Sequence, residues 1–424
     1  MKRFSLVLMV ALLCCLHVMA NHRHVQTFKT GWKFTRVDDT AASQPAYDDS
    51  KWQSVTVPHD WAIYGPFDAN NDRQKVAIEQ DGQKEALSHA GRTGGLPFVG
   101  AGWYRLQFEA PEFTEGRRAT LLFDGAMSHA RVWVNGQEAG YWPYGYNAFY
   151  FDITPYMKAG EVNTLAVRLE NYEESSRWYP GAGLYRNVHL IVTDELAVKM
   201  WGTYITTPVV REGFAKVNVQ VELDMPKGID PNTVSVATDI YTADGTAVTG
   251  TVEKLTSFDE GVKTLELVVQ QPQLWSPETP HLYRAVTTIM DGKGATTDVY
   301  ETTFGIRTIA VVPDQGFFLN GQRTVFKGTC NHHDNGPLGA VVNTTAVRRK
   351  VRLLKEMGSN AYRTSHNMPE PELVEACNEM GMMIMAESFD EWKRAKMKNG
   401  YNRDFNEWIE KDIVNLVRRY RNDP

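Results

Sequence analysis

Polar clusters that could carry chemistry follow three successive predicted strands in the last third of the sequence. They are Asn331-His-His-Asp-Asn335, Thr364-Ser-His-Asn367 and Glu387-Ser-Phe-Asp-Glu-Trp392. In parallel βα architectures, functional residues collect just beyond the carboxyl ends of the strands. Each cluster alone could be a hydrogen-bonded turn or a helix cap. Three in succession predict one shared pocket for binding or catalysis.

The residue types in these clusters narrow the chemistry. Two adjacent histidines, His332 and His333, with Asp334 nearby could ligate a divalent metal ion. However, adjacent side chains in an extended loop diverge, and no His-x-x-x-His pair is present. The Gly-x-Ser-x-Gly motif of serine hydrolases is also absent, and no glycine-rich phosphate-binding loop follows a strand. We therefore expect neither a serine hydrolase nor a nucleotide cofactor.

The elements that must position the clusters are predicted to be parallel βα units. Strands are expected at 325–330, 360–363 and 382–386, and helices at 345–357, 371–380 and 405–417. Apolar residues recur at helical spacing in the helices, and Gly358 and Gly381 follow the first two, as is typical of helix ends. The alternation of strands and helices predicts a parallel sheet.

Two all-β regions are expected before these units. From residue 25 to about 192, apolar residues alternate in short segments with turn signals such as Asn135-Gly136. A second block, from about 195 to 307, contains about seven such segments, as in an immunoglobulin-like sandwich. The length of 424 residues also indicates several domains.

Composition and the N-terminal segment bear on partners and location. The net charge of −6 argues against a nucleic-acid partner, and aromatic residues at 11% suit sandwich cores and carbohydrate binding. Residues 1–20 predict a signal peptide cut before Asn21, and lipid modification at Cys14 or Cys15 is the weaker alternative. No later segment has the apolar length of a membrane span. We expect a secreted or periplasmic protein without an integral membrane segment.

Taken in order, the motifs resemble the β-galactosidase-type enzymes of glycoside hydrolase family 2. The segments that carry this resemblance in the two β regions are Val57-Pro-His-Asp-Trp61, Gly102-Trp-Tyr-Arg105, Asp124-Gly-Ala-Met-Ser-His-Ala-Arg-Val-Trp-Val-Asn-Gly136, Arg177-Trp-Tyr-Pro-Gly-Ala-Gly-Leu-Tyr-Arg186, Trp275-Ser-Pro-Glu-Thr-Pro-His-Leu-Tyr283 and Phe304-Gly-Ile-Arg307. The three strand-end clusters complete it. The resemblance implies a jelly-roll sugar-binding domain at 21–195, an immunoglobulin-like sandwich at 196–308 and the first three βα units of a (β/α)8 TIM barrel at 309–424.

The resemblance also implies a function and a set of binding residues. Family members hydrolyse glycosides with retention, using one Glu as acid/base and another as nucleophile. The implied substrate is a terminal non-reducing β-D-galactose on an oligosaccharide or glycan. β-Glucuronidase or β-mannosidase activity is the alternative within the family, and a non-catalytic secreted carbohydrate-binding protein is the alternative outside it. The expected sugar-binding residues are His332, Asp334, His366, Asn367, Glu387 and, with a structural corner as its alternative, Trp178.

The sequence departs from the family pattern at the third strand. Ala386-Glu387 replaces the usual Asp-Glu, and Phe389 stands where the classical bacterial enzyme has a metal-ligating His. We expect no metal or other cofactor at this position; a divalent cation elsewhere is left open. Residues 421–424 resemble the segment that precedes the fourth strand, so both catalytic glutamates are expected outside this sequence. The resemblance also leaves open that the complete enzyme forms homo-oligomers.

These expectations predict the behaviour of the 424-residue chain expressed alone. Without the two motif glutamates it should not hydrolyse a galactoside above background, because proton donation and covalent capture each need a positioned carboxylate. Because three strands cannot close a barrel, limited proteolysis should trim the chain to a core ending near 307–321. Turnover that is abolished by Glu387→Gln would contradict this prediction and make Glu387 catalytic.

Overall fold

The computed structural model describes residues 22–68, 70–71, 74–76, 87–89, 100–256 and 260–424. The predicted signal peptide, with Cys14 and Cys15, lies outside these residues. Within the described part of the chain, every helix is too short or too polar to cross a membrane.

The first region is a β-sandwich. One sheet has the strand order β1-β12-β7-β10 and the other the order β3-β2-β6-β11-β8-β9, while β4 pairs with β5. Fully buried rings such as Trp32 and Phe123 fill the space between the sheets. The strands are β1 (Arg23–Thr27), β2 (Trp32–Thr35), β3 (Gln53–Val55), β4 (Gln74–Val76), β5 (Leu87–His89), β6 (Gly100–Phe108), β7 (Arg117–Phe123), β8 (Ala130–Val134), β9 (Gln137–Trp142), β10 (Phe149–Asp152), β11 (Asn163–Asn171) and β12 (Val188–Asp194).

The second region is a smaller sandwich with the predicted number of strands. Its sheets have the orders β13-β14-β17 and β16-β15-β18-β19. Val217, Val219 and Val221 of β14 are fully buried, so the alternation in the sequence places one face of this strand in the core. The strands are β13 (Ala197–Arg211), β14 (Phe214–Asp224), β15 (Ser235–Thr242), β16 (Ala247–Lys254), β17 (Val262–Gln270), β18 (Tyr283–Met290) and β19 (Thr296–Phe304).

The last region contains the predicted βα units. After a small antiparallel sheet of β20 (Ile309–Val312), β21 (Gly316–Leu319) and β22 (Gln322–Arg323), three parallel strands pair in chain order. These are β23 (Gly328–Asn331), β24 (Ala361–Thr364) and β25 (Met383–Met385), and the helices are α1 (Thr344–Glu356), α2 (Pro371–Met380) and α3 (Phe405–Tyr420). The predicted fold class, two β-sandwiches followed by part of a TIM barrel, is confirmed.

Apolar side chains of the parallel sheet and of the segment before it are partly exposed, in agreement with a barrel that three strands do not close. Val325, Phe326 and Met385 are 53%, 48% and 56% exposed. Met383 is buried in a cluster with Trp275 and Leu319. The second sandwich and the β20–β22 sheet cover that end of β25.

Helix α3 and the residues directly after it join the βα units to both sandwiches through polar contacts. Arg419 donates to Asp124 Oδ1 at 2.7 Å in the first sandwich, and Ile205 N of the second donates to Asn422 Oδ1 at 2.8 Å. The side chain of Asp412 is completely buried and accepts hydrogen bonds from Trp142 Nε1 at 2.9 Å and Asn147 Nδ2 at 2.8 Å. These contacts favour a docked C-terminal third, and the trimming of this third by limited proteolysis stays a prediction.

The burial of Asp412 predicts a pH-dependent stability. Burial raises its pKa from 3.8 to about 6. A carboxyl whose folded pKa exceeds its unfolded value stabilises the fold below the unfolded pKa, and this stabilisation is lost as the pH rises through about 6. The unfolding free energy of the wild type should therefore decrease between about pH 4 and 7. In Asp412→Asn, whose side chain resembles the protonated acid, this decrease should be smaller by about 2 kcal/mol.

Urea unfolding of both proteins at several pH values measures this difference. Glu410→Gln is the matched control, because this carboxylate lies on the exposed face of the same helix. Parallel pH profiles for the wild type and Asp412→Asn would show that Asp412 does not titrate in this range.

Candidate functional site

The parallel pairing of β23, β24 and β25 brings the three predicted clusters to one edge of the sheet. Asn331 pairs with Thr364, and Arg363 pairs with Met385, so the three strands end at nearly the same level. The rings of His332 and His366 consequently lie with their centroids 5.7 Å apart. The three predicted clusters therefore meet at this edge, and their role as one binding pocket stays a prediction.

His332 is held in a defined tautomer. Its Nδ1 lies 2.9 Å from the carbonyl oxygen of Ser365, which can only accept, so Nδ1 carries the proton. Burial lowers the pKa of His332, which favours the neutral ring. Nε2 of His332 is then a hydrogen-bond acceptor.

His366, Glu387 and Arg363 form a second polar group beside His332. His366 Nδ1 lies 3.0 Å from Glu387 Oε2 and 3.3 Å from an Arg363 nitrogen. A carboxylate only accepts and a guanidinium only donates, so the shorter contact directs the Nδ1 proton toward Glu387. Arg363 Nε also donates to Glu387 Oε1, and Arg363 reaches Cys330 Sγ at 3.1 Å. The negative charge of Glu387 is therefore balanced by Arg363 within the site.

Trp178 reaches this edge from the first sandwich, but it does not present an open ring. The side chain is 7% exposed, stacks on His332 at 5.0 Å between centroids, and donates from Nε1 to the Tyr146 hydroxyl at 3.0 Å. Two glycines allow its loop to pack closely. A Cβ at Gly183 would lie 2.4 Å from the Tyr104 hydroxyl, and a Cβ at Gly181 would lie 2.3 Å from the Cβ of Ala340. This geometry favours the structural alternative for Trp178, orienting His332.

The remaining predicted residues differ in their surroundings. Asp334 is half-buried, and its carbonyl oxygen accepts a hydrogen bond from Lys350 Nζ at 3.1 Å. Asn367 is 2% exposed, and its Nδ2 has no hydrogen-bond partner among the described atoms. His333 is buried and donates from Nε2 to the carbonyl oxygen of Pro180 at 3.0 Å. His333 therefore anchors the sandwich loop.

Phe389, which stands where the classical bacterial enzyme has a metal-ligating His, packs in an aromatic cluster. Phe389 stacks on Tyr401 at 4.5 Å and contacts Tyr144 edge-on at 5.2 Å. Over the residues that the structure covers, no three His, Cys, Asp or Glu side chains are grouped as metal ligands would be. The absence of metal dependence stays a prediction.

Three family models match consecutive parts of the chain. The sugar binding domain of glycosyl hydrolases family 2 matches residues 25–194, the general family 2 model matches 198–307, and the family 2 TIM barrel domain matches 310–424. The chain belongs to glycosyl hydrolases family 2. The predicted family is confirmed.

Individual family 2 proteins extend this comparison. A beta-galactosidase of Bacteroides ovatus is 40% identical over 97% of this chain and 46% of its own length. A beta-glucuronidase of Bacteroides fragilis is 30% identical over 88% of this chain and 55% of its own length. The crystal structure of a family 2 member from Bacteroides cellulosilyticus gives a TM-score of 0.85 at 34% identity, covering 94% of this chain and 50% of that one. The chain thus spans about half the length of these relatives.

Sequence reasoning missed two ion pairs that shape this family 2 site. Arg177 donates from Nε to Asp390 Oδ2 at 2.8 Å, and Lys396 Nζ donates to Asp390 Oδ1 at 2.9 Å. Burial would raise the pKa of Asp390, but these hydrogen bonds outweigh it and the pKa lies below its ordinary value. Sequence reasoning also missed the ion pair of Arg363 with Glu387. A charged residue at the end of a barrel strand was the available signal, since a carboxylate from a neighbouring strand end can pair with it.

The buried state of His333 gives a prediction for its titration. Burial lowers its pKa to about 3, so the ring should remain neutral, with the proton on Nε2, at pH 5. Long-range proton–nitrogen NMR spectra distinguish this tautomer, and the His333→Gln variant assigns the signal by removing it. An imidazolium spectrum at pH 5 would contradict the described burial.

Proposed function

We propose that this chain supplies the terminal-sugar subsite of a retaining family 2 glycosidase with β-galactosidase specificity. The observation that carries the proposal is the pair of imidazoles, His332 and His366, at adjacent strand ends. Nδ1 of His332 is engaged by the carbonyl oxygen of Ser365 and Nδ1 of His366 by Glu387, so Nε2 of each ring is left for a ligand. Two ring nitrogens held in fixed positions suit neighbouring hydroxyl groups of a hexose, which can donate or accept hydrogen bonds.

The charges around the pair favour a neutral sugar over a uronate. Arg363 is compensated by Glu387, and Arg177 by Asp390. A glucuronate carboxylate would have to break one of these pairs to gain a cation, and it would leave the protein carboxylate uncompensated. The beta-galactosidase relative supports the same choice, whereas the beta-glucuronidase relative makes the uronate the alternative to be tested.

The proposal concerns the enzyme encoded by the complete reading frame. The family resemblance requires a fourth strand that ends in Asn-Glu, followed later by the nucleophile. Reading the gene beyond the codon for Pro424 tests this requirement directly. A stop codon at that position would support the non-catalytic carbohydrate-binding protein instead.

The enzyme should lose most of its activity on His366→Ala. Removing a hydrogen bond that strengthens in the transition state costs roughly 2.7–4 kcal/mol, or about 100–1,000-fold in kcat/KM. Hydrolysis of 4-nitrophenyl β-galactoside measures the effect, and the wild type should cleave it faster than the matching β-glucuronide. His281→Ala is the matched control, since this histidine is exposed on the second sandwich.

Two outcomes would overturn different parts of the proposal. Activity of His366→Ala within about threefold of the wild type would remove His366 from the site. Faster cleavage of the glucuronide or of the mannoside would replace the galactoside specificity and leave the subsite in place.

A further inference from the structure

The loop after β25 combines an exposed tryptophan with a run of cations. Trp392 is 67% exposed, although its flanking residue Glu391 is only 3% exposed. Residues 392–398, here called the basic loop, also contain four exposed cations: Lys393, Arg394, Lys396 and Lys398. In a chain of net charge −6, this is a local reversal of charge.

Three of these cations are not neutralised by the described protein. Lys396 pairs with Asp390 at 2.9 Å. Across the described residues, no carboxylate forms an ion pair with Lys393, Arg394 or Lys398 within 4.0 Å. As far as the described residues go, their charges are left for an anion outside the protein.

The ends of the basic loop are fixed, so the loop does not need to be ordered by a ligand. The backbone N–H of Met397 donates to Glu391 Oε1 at 2.6 Å, which closes the loop on a buried carboxylate. Asn399 binds the sandwich loop twice, through its N–H to the carbonyl oxygen of Glu174 at 3.0 Å and through Nδ2 to that of Glu173 at 2.8 Å. A held loop loses less conformational entropy when it binds a ligand.

The basic loop is continuous with the candidate sugar site. Asp390, two residues before Trp392, pairs with Arg177, and the next residue of that sandwich loop is Trp178, which stacks on His332. A glycan whose terminal sugar lies at His332 and His366 therefore has the basic loop at its rim. An aromatic ring can pack against a sugar face, and cations beside it can pair with acidic substituents.

We propose that the basic loop binds the acidic part of a glycan, meaning sugars with sulfate or carboxylate groups beyond the terminal galactose. This inference rests on the proposed function for the position of the glycan. It assigns the loop a role in recognising the polymer, separate from the neutral subsite that holds the terminal sugar.

Calorimetric binding tests the proposal without requiring turnover. The probes are a sulfated galactan, the same galactan after desulfation, and an oligogalacturonate that carries only carboxylates. The sulfated or the carboxylated probe should bind at least about tenfold more tightly than the desulfated galactan at low salt, and the difference should shrink at high salt. The preferred acidic probe identifies which anion the loop recognises.

Variants test whether the basic loop itself, and not the overall charge of the protein, binds the acidic probe. Trp392→Ala should weaken binding of the preferred acidic probe about tenfold through loss of stacking, and the double variant Lys393→Gln, Arg394→Gln roughly fivefold or more. The double variant Lys216→Gln, Lys254→Gln removes the same charge from exposed positions on the second sandwich and should leave binding unchanged. Because Trp392 is largely exposed, its replacement should not unfold the protein.

Each outcome has one meaning. Equal binding of acidic and desulfated galactan, or acidic binding that the loop variants retain within twofold, overturns the proposal. Equally tight binding of a DNA duplex would show unselective attraction of polyanions and also overturn it. Selective acidic binding, together with a product of the complete reading frame that hydrolyses no galactoside, would keep the basic loop and reject the proposed function instead.

Discussion

The buried carboxylate of Asp60 holds together the three loops on which the candidate site depends. Its four hydrogen-bond donors are Ala62 N, the Tyr179 hydroxyl, Ala182 N and Ala340 N. They come from its own loop, from the loop of Trp178 and from the loop between β23 and α1. A buried carboxylate is costly unless its oxygens are fully occupied. Displacing any one loop would leave part of this charge unsatisfied, so Trp178 is kept in place over His332.

The same principle governs the rest of the interface between the first sandwich and the βα units. Arg186, completely buried, donates to the carbonyl oxygens of Tyr146 in the sandwich and Met368 in the β24–α2 loop. Asp124 pairs with Arg419 of α3, and Asp412 of α3 lies among donors from the sandwich. Buried polar groups that are satisfied only across a boundary define one relative position of the two domains. This interface therefore aligns the strand ends with the sandwich loop.

Two electrostatic environments lie side by side at the strand ends. At His366 the protein compensates its own charges, because Arg363 pairs with Glu387, and the imidazoles of His332 and His366 are left for hydroxyl groups. At the basic loop, a few residues further along the chain, cations face the solvent without described partners. The Arg177–Asp390 ion pair lies between them and belongs to both, since it fixes the sandwich loop and the start of the basic loop. A neutral terminal sugar on an acidic glycan would match this division.

The sequence alone determined the architecture, the family and the strand-end clusters, because alternation, helical spacing and local motifs are written in consecutive residues. The predicted helix at 371–380 matches α2, and all six βα elements occur close to their predicted places. Only the tertiary structure showed that Trp178 packs on His332, that His333 anchors a loop, and that Arg363 and Arg177 have carboxylate partners. Arg177 and Asp390 are 213 residues apart in the chain. Which of many charges meet across that separation depends on how the domains pack, and no local pattern encodes it.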